Sequence, residues 1–243
     1  MIKVPKERWQ AAQDWESQIW LKETTSPLKK LVRGWLAEIG VRRFMGNDWN
    51  DWWAEKLDHY RVVPPELDNV IELGCGPYTN IRLICAQRQV RHIVCSDPLV
   101  KHYLSFRGRW LSEAWRRGAV LLDDHPAEEC PYASDYFDLT VLINVLDHVR
   151  DAVLCLSQAV RVTRPGGLLI VGQDLTNSDD LNNPEVKEDI GHPLRLTHDL
   201  LDEHLTTVFE PLLYRILPRA EGRNPAAHYG TYLFIGRKRV NRA

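Results

Sequence analysis

From about residue 68 to the C-terminus, short apolar runs alternate with longer amphipathic stretches, the rhythm of strand, helix, strand. Val70 to Leu73 is the first apolar run. It leads into Gly-Cys-Gly-Pro-Tyr, so a buried strand enters a sharp turn from which a helix over about 79–87 begins. Arg91 to Cys95 is the second strand, closed by Ser96 and Asp97. A helix over 99–117 then stops at Gly118, and Ala119 to Leu122 is the third strand. Tyr136 to Ile143 is the fourth, apolar enough to be central in a sheet covered on both faces. Ala152 to Val162 reads as a helix, Arg164-Pro165-Gly166-Gly167 as a tight reversal, and Leu168 to Val171 as the fifth strand. Gln173 to Gly191 is polar and predicts a long loop, after which Thr197 can cap a helix running through Leu205. Phe209 to Leu217 and Tyr229 to Gly236 end the chain as a hairpin-like pair.

Residues 1–66 have a different period. Leu28, Leu31, Val32, Trp35, Leu36 and Ile39 form one helical stripe that Gly40 can end. Trp49, Trp52, Trp53, Lys56, Leu57 and Tyr60 form a second after Asn47 and Asp48, either of which can cap it, and Pro64-Pro65 breaks it. The chain therefore divides into an N-terminal helical segment, 1–66, and an α/β domain, 67–243. The helical stripes either pack on that domain or form a lid over its ligand.

Composition narrows the class. At 243 residues with 44% hydrophobic content, the chain supports one sizeable domain plus an extension. A net charge of -2 provides no global field for nucleic acid or an anionic membrane, and Arg237-Lys238-Arg239 reads as a solvated chain end. Cysteines 75, 85, 95, 130 and 155 are odd in number and lack a Cys-x-x-Cys pair. This argues against a disulfide framework or zinc site, predicts no metal, and suits a reducing cytosol. The first residues are charged, unlike a signal peptide, and no apolar run reaches membrane-span length.

The chemistry gathers at the ends of the first two strands. Gly74 and Gly76 can take positive φ and let a ligand approach the main chain, while Asp97 at a strand tip can accept both hydroxyls of a ribose. A dinucleotide turn asks for a third glycine where Thr79 stands. An acid at Glu72 also suits the cationic amino group of an amino-acid moiety better than a diphosphate. NAD is thereby disfavoured.

These residues resemble the first motif of the class I S-adenosylmethionine-dependent methyltransferases, acid-x-Gly-x-Gly-x-Gly. Glu72, Gly74 and Gly76 match it, and Tyr78 replaces the third glycine. Ala127, Glu128, Pro131 and Tyr132 match the family's adenine loop, with Pro126 at its usual aspartate, so that Glu128 or Asp124 would supply the acceptor. His148-Val149-Arg150-Asp151 matches the segment after the fourth strand, and the Arg-Pro-Gly-Gly turn is a further hallmark. The resemblance covers roughly 68–175 and includes small-molecule types such as the ubiquinone-biosynthesis C-methyltransferase group. It implies a Rossmann-like seven-stranded, mostly parallel sheet, last strand antiparallel, with helices on both faces. It also implies S-adenosylmethionine on Glu72, Gly74, Cys75, Gly76, Tyr78, Asp97, Pro98, Ala127, Glu128 and Asn144.

For the acceptor, the resemblance places Asp147 and His148 at the transferred methyl. His148 would be the base that a hydroxyl acceptor needs, against a plainly structural histidine. Trp49, Trp53, Tyr60, His192 and Arg195 are candidates for acceptor contact. The predicted activity is methyl transfer to a small molecule, at a hydroxyl of a sugar or other metabolite or at a ring carbon, by a cytoplasmic monomer or homodimer. The rival is a catalytically silent S-adenosylmethionine-binding scaffold whose tryptophans face a partner. Nucleic acid is disfavoured, since there is no basic stripe and no Asn/Asp-Pro-Pro-Tyr motif.

Overall fold

The computed structural model describes residues 2–25, 48–105, 109–176, 189–223 and 230–240. Seven strands form a single sheet in the order β3-β2-β1-β4-β5-β7-β6. They are β1 (Glu66–Leu73), β2 (Gln89–Ser96), β3 (Leu121–Asp123), β4 (Phe137–Ile143), β5 (Thr163–Leu175), β6 (Phe209–Pro218) and β7 (Gly230–Lys238). The first five run parallel, and β7 is antiparallel to both β5 and β6. The order reverses at β1 between β2 and β4, and an open parallel sheet leaves a crevice beyond its strand ends at such a switch.

Every residue of β4 is buried, as its unbroken apolar run demands. One face of the sheet is covered by α6 (Ala152–Val162) and α7 (His198–Leu205), whose Leu156, Ala159 and Leu201 join Leu142, Leu169 and Phe234 in the core. The other carries α2 (Asp48–Lys56) and α3 (Ile81–Ile84), where Trp53, Leu57 and Ile81 meet Val70, Val141 and Ile170. α1 (Lys6–Thr25) is tethered by Val4 N–H to Arg150 O at 2.9 Å. Among the described residues no helix is long and apolar enough to cross a membrane.

Several predicted boundaries move. The helix expected over 79–87 shrinks to α3, and the Thr79 hydroxyl and Asn80 N–H just before it are held by the Glu72 carboxylate. The helix expected over 99–117 is two helices, α4 (Val100–Tyr103) and α5 (Trp110–Arg116), with 106–108 outside the described residues. The stripe from Trp49 to Tyr60 is helical only to Lys56. Asp58, His59 and Tyr60 then take left-handed φ of 51°, 51° and 56°, and Arg88 donates to the carbonyls of Tyr60 and Val63. β5 runs from Thr163 to Leu175 and absorbs the Arg-Pro-Gly-Gly reversal as an irregularity opposite Phe137 and Leu139, with Gly166 at φ 76°. Gln173 to Leu175 are therefore strand, and most of the predicted loop, 177–188, lies outside the described residues, as does the stripe 28–40. Helix α7 begins after Thr197 as expected, though the threonine side chain makes no capping bond.

Candidate functional site

The turn after β1 is built by the residues beneath it. Gly74 N–H and Cys75 N–H both donate to Ser96 O, at 2.8 and 3.0 Å, which hitches the turn to the end of β2. Gly74 has φ 71°, and a Cβ there would fall 2.5 Å from Val145 Cγ2. Gly76 has φ 55° and nothing within 4 Å of where its Cβ would stand, so it presents bare backbone to open space. Glu72 is fully buried below. It accepts from the Thr79 hydroxyl, from Asn80 N–H at 3.1 Å and side-chain Nδ2 at 2.9 Å, and from Ile81 N–H at 3.3 Å. Burial outweighs these bonds and pushes its carboxyl above the ordinary range. The Glu72 side chain thus holds the turn and is not among the residues that line the cavity above it.

That cavity, about 360 Å³, lies across the C-terminal ends of β1, β2 and β4 and is within the range of small-ligand sites. Of the sequence-predicted cofactor residues, Gly74, Cys75, Gly76, Tyr78, Asp97, Pro98, Ala127, Glu128 and Asn144 line it. Asp97 accepts from Gly76 N–H at 3.0 Å and from Leu99 N–H at 2.8 Å. Burial, with the nearby negative charge of Glu16, pushes its carboxyl up to about 7. Burial also drives the Cys75 thiol well above its ordinary value, so it is no nucleophile. The Tyr78 ring meets Trp20 edge-on at 5.5 Å, and the Arg109 guanidinium lies 4.6 Å from its centroid. Glu128 Oε1 accepts from Arg150 N–H at 2.7 Å and Asp151 N–H at 3.0 Å, tying the 127–129 turn to the start of α6. Asp124 is on the surface in an ion pair with Lys101 and does not line the cavity.

Trp53, His148 and His192 line the same cavity. Trp53 lies against Gly172, where an added Cβ would come within 2.7 Å of its ring. Asp147 is buried just behind His148, with Oδ1 3.8 Å from His148 Nε2. The His148 and His192 rings are 4.5 Å apart, and His192 Nδ1 is 2.7 Å from Asp189 Oδ2. Although burial works against its charge, Asp189 and Asp147 hold the His192 imidazole above its ordinary pKa. Asp189 sits at about 2, where the bonds from His192 and from two backbone N–H groups overcome burial. Two acceptor candidates lie elsewhere. Tyr60 is packed in the core at 1% exposure, and the Arg195 guanidinium turns to the carbonyls of His192 and Leu194. Trp49 belongs to α2, and its side chain is outside the described residues.

Sequence reasoning missed the contribution of α1. Trp9, Gln13, Glu16 and Trp20 recur at four, three and four residues and all reach the cavity. A helical stripe that mixes aromatic and polar side chains was the available signal, since a purely core-facing stripe would be apolar. Also missed was Arg223. It pairs with fully buried Asp174 at 2.7 Å, and with the Asn144 amide turned so that its NH2 faces the acid, Asn144 donates to Asp174 Oδ2 at 3.2 Å and accepts from Arg223 Nη2 at 3.1 Å. Asn144 itself is left-handed, φ 57°.

Residues 71–171 match a family model described as a methyltransferase domain. A search of curated proteins finds no match to the chain. Among solved structures, 1,6-didemethyltoxoflavin-N1-methyltransferase from Burkholderia thailandensis, with bound 1,6-didemethyltoxoflavin and S-adenosylhomocysteine, aligns over 98% of this chain and 92% of its own. The TM-score is 0.60 at 15% identity. The N-methyltransferase NodS from Bradyrhizobium japonicum WM9, in complex with S-adenosylhomocysteine, aligns over 89% and 90%, with a TM-score of 0.54 at 14% identity. The [4+2]-cyclase SpnF aligns over 80% and 81%, with a TM-score of 0.58 at 18% identity. At such identities the likeness is one of fold.

Proposed function

We propose that this chain, whose residues 71–171 match a methyltransferase domain, is a class I S-adenosylmethionine-dependent methyltransferase that takes S-adenosylmethionine as its cofactor and transfers the methyl group to a small-molecule acceptor held beside His148. The observation that carries this reading is the continuity of one cavity from Asp97 and the Gly74–Gly76 turn to His148 and His192. The cofactor and its acceptor thus share one space.

The residues present fit the cofactor. Gly76 offers unobstructed backbone, Asp97 lines the cavity with a carboxylate that ribose hydroxyls can reach, and Ala127 belongs to a turn fixed by Glu128. We assign Gly74, Cys75, Gly76, Tyr78, Asp97, Pro98, Ala127, Glu128 and Asn144 to the cofactor, with Glu72 holding the turn they depend on. When bound, S-adenosylmethionine supplies a methyl group already activated on a sulfonium, so the protein has chiefly to align two ligands and exclude water.

Trp53, His148 and His192 hold the acceptor, with Asp147 beside His148 Nε2, and this cluster assists loss of the acceptor's proton. Residues 1–66 act as a cap, a reading supported by the α1 stripe on the cavity and by Asn50, which donates to Tyr78 O from α2. The location is cytoplasmic, supported by five free cysteines. The deciding experiment incubates the protein with S-adenosylmethionine and fractionated metabolites and follows S-adenosylhomocysteine release by mass spectrometry. Acceptor-dependent release is expected. Cofactor binding without release from any fraction would return the scaffold reading.

A further inference from the structure

Folding brings together three metal-ligating side chains at the acceptor site, Asp147 and His148 from the segment after β4 and His192 from the stretch before α7. Their ligand atoms all lie within 4.8 Å of one another. We propose that Asp147, His148 and His192 bind one divalent cation of the zinc or manganese class, and that this cation holds an acceptor bearing two adjacent oxygens. The acceptor half of the proposal rests on the methyl-transfer reading above; the cation half does not.

Geometry comes first. With nitrogen and oxygen ligands at about 2.0–2.1 Å from a metal, neighbouring ligands stand roughly 3.0–3.4 Å apart. The 3.8 Å between His148 Nε2 and Asp147 Oδ1 needs only a few tenths of an ångström of closure. The two loops are already tied, since Leu194 N–H donates to Asp147 O at 3.2 Å.

The surroundings of both imidazoles point the same way. His192 directs Nδ1 at Asp189 Oδ2, 2.7 Å away. His148 directs Nδ1 at Glu16 Oε2, 3.9 Å away, and that nitrogen is buried without a hydrogen-bond partner among the described residues. A proton on each Nδ1, drawn by the carboxylate behind it, leaves the lone pair on Nε2. A carboxylate backing a histidine is the usual support of a metal ligand. Three acids, Asp147, Asp189 and Glu16, surround the pair. The guanidiniums of Arg8 and Arg195 donate to the backbone carbonyls of residues 189, 190, 192 and 194.

Two imidazoles and one carboxylate suit zinc, manganese or ferrous iron, whereas magnesium and calcium favour all-oxygen sites. Three protein ligands leave coordination positions open, and two neighbouring oxygens of one acceptor would fill them. A diol or a hydroxyl beside a carbonyl has that shape. The sequence hid the site because its members are 45 residues apart in the chain (147 to 192) and involve no cysteine.

The test uses untagged full-length protein stripped with a chelator and titrated calorimetrically with Zn²⁺, Mn²⁺, Mg²⁺ and Ca²⁺, with and without S-adenosylhomocysteine. Expected is one Zn²⁺ or Mn²⁺ per chain, with Mg²⁺ and Ca²⁺ at least about tenfold weaker. His192→Ala and Asp147→Asn should each weaken binding at least about tenfold, and Asp189→Asn, which removes the charge behind His192 Nδ1, by about tenfold or more. S-adenosylhomocysteine affinity reports that each variant is folded. No stoichiometric cation in the wild-type protein, or an unchanged affinity in a folded His192→Ala variant, overturns the proposal. Cofactor binding with no cation sinks this site alone. A cation with no cofactor binding sinks the methyl-transfer reading and leaves the site.

Discussion

Gly76 N–H donates to Asp97 Oδ2 at 3.0 Å, so the turn after β1 and the acid after β2 are one hydrogen-bonded unit. Replacing Asp97 by Ala removes the carboxylate proposed for the ribose and also frees Gly76 N–H and Leu99 N–H. Hydrogen bonds to a charged acceptor contribute about 1.5–3 kcal/mol each. Asp97→Ala should therefore lower S-adenosylhomocysteine affinity by at least about tenfold by calorimetry. An unchanged Kd would remove Asp97 from the site.

The same acid gives the site a pH dependence. Its carboxyl is raised to about 7 by burial and by Glu16, against roughly 3.9 in an unfolded chain. Between those values the folded state binds the extra proton, so this group's contribution to stability is fully present below about 4 and is lost as pH rises to about 7. Cofactor binding runs the opposite way, because ribose hydroxyls need an ionised acceptor. Affinity should rise from pH 6 to 8, by at most about tenfold per unit, and flatten above. A flat profile in the wild-type protein contradicts the assignment, and Asp97→Asn should abolish the slope.

Gly74 combines φ 71° with a missing Cβ that would sit 2.5 Å from Val145. Left-handed backbone costs an L-residue about 1–2 kcal/mol, and the clash adds to it. Gly74→Ala should destabilise the protein by at least about 2 kcal/mol in urea denaturation. Adding Val145→Ala should recover the steric part and leave the backbone part.

Much of this was legible. The run Val70 to Leu73, the two glycines and Asp97 announced a strand, a sharp turn and a strand-tip acid in the order the structure has them, because period, turn chemistry and strand tip agree there. For Glu72 the structure adds bonds to the turn that the sequence did not show. An acid before a glycine turn looks the same in sequence whether it faces a ligand or, as here, the N–H groups of Asn80 and Ile81. Tyr60 repeats at helical spacing with Trp53, yet the left-handed run 58–60 turns it into the core, and no propensity signals three such residues in succession. Glu16 and Arg223 reach the cavity only through tertiary packing, from opposite ends of the chain.

Glu72→Ala tests whether the acid serves the turn or the ligand. It leaves the N–H groups of Asn80 and Ile81 and the Thr79 hydroxyl without their acceptor inside a buried turn. A loss of about 2–5 kcal/mol in denaturant unfolding is expected. If Glu72 instead contacted the ligand, stability would hold and only cofactor affinity would fall.

His148→Ala separates acceptor chemistry from architecture. His148 is positioned by its backbone, whose N–H donates to Val145 O at 2.9 Å, and its Nδ1 has no hydrogen-bond partner among the described residues. The side chain therefore contributes little to the fold beyond contact with His192, and truncation should cost no more than about 1 kcal/mol. His148 is not among the residues assigned to the cofactor, so S-adenosylhomocysteine affinity should stay within about twofold. Turnover of an identified acceptor should fall about 100-fold or more, the scale of a lost proton-transfer or ligating group. Equal turnover in this variant would leave His148 with a structural duty alone, and a fall in kcat at constant cofactor Kd would place it at the acceptor.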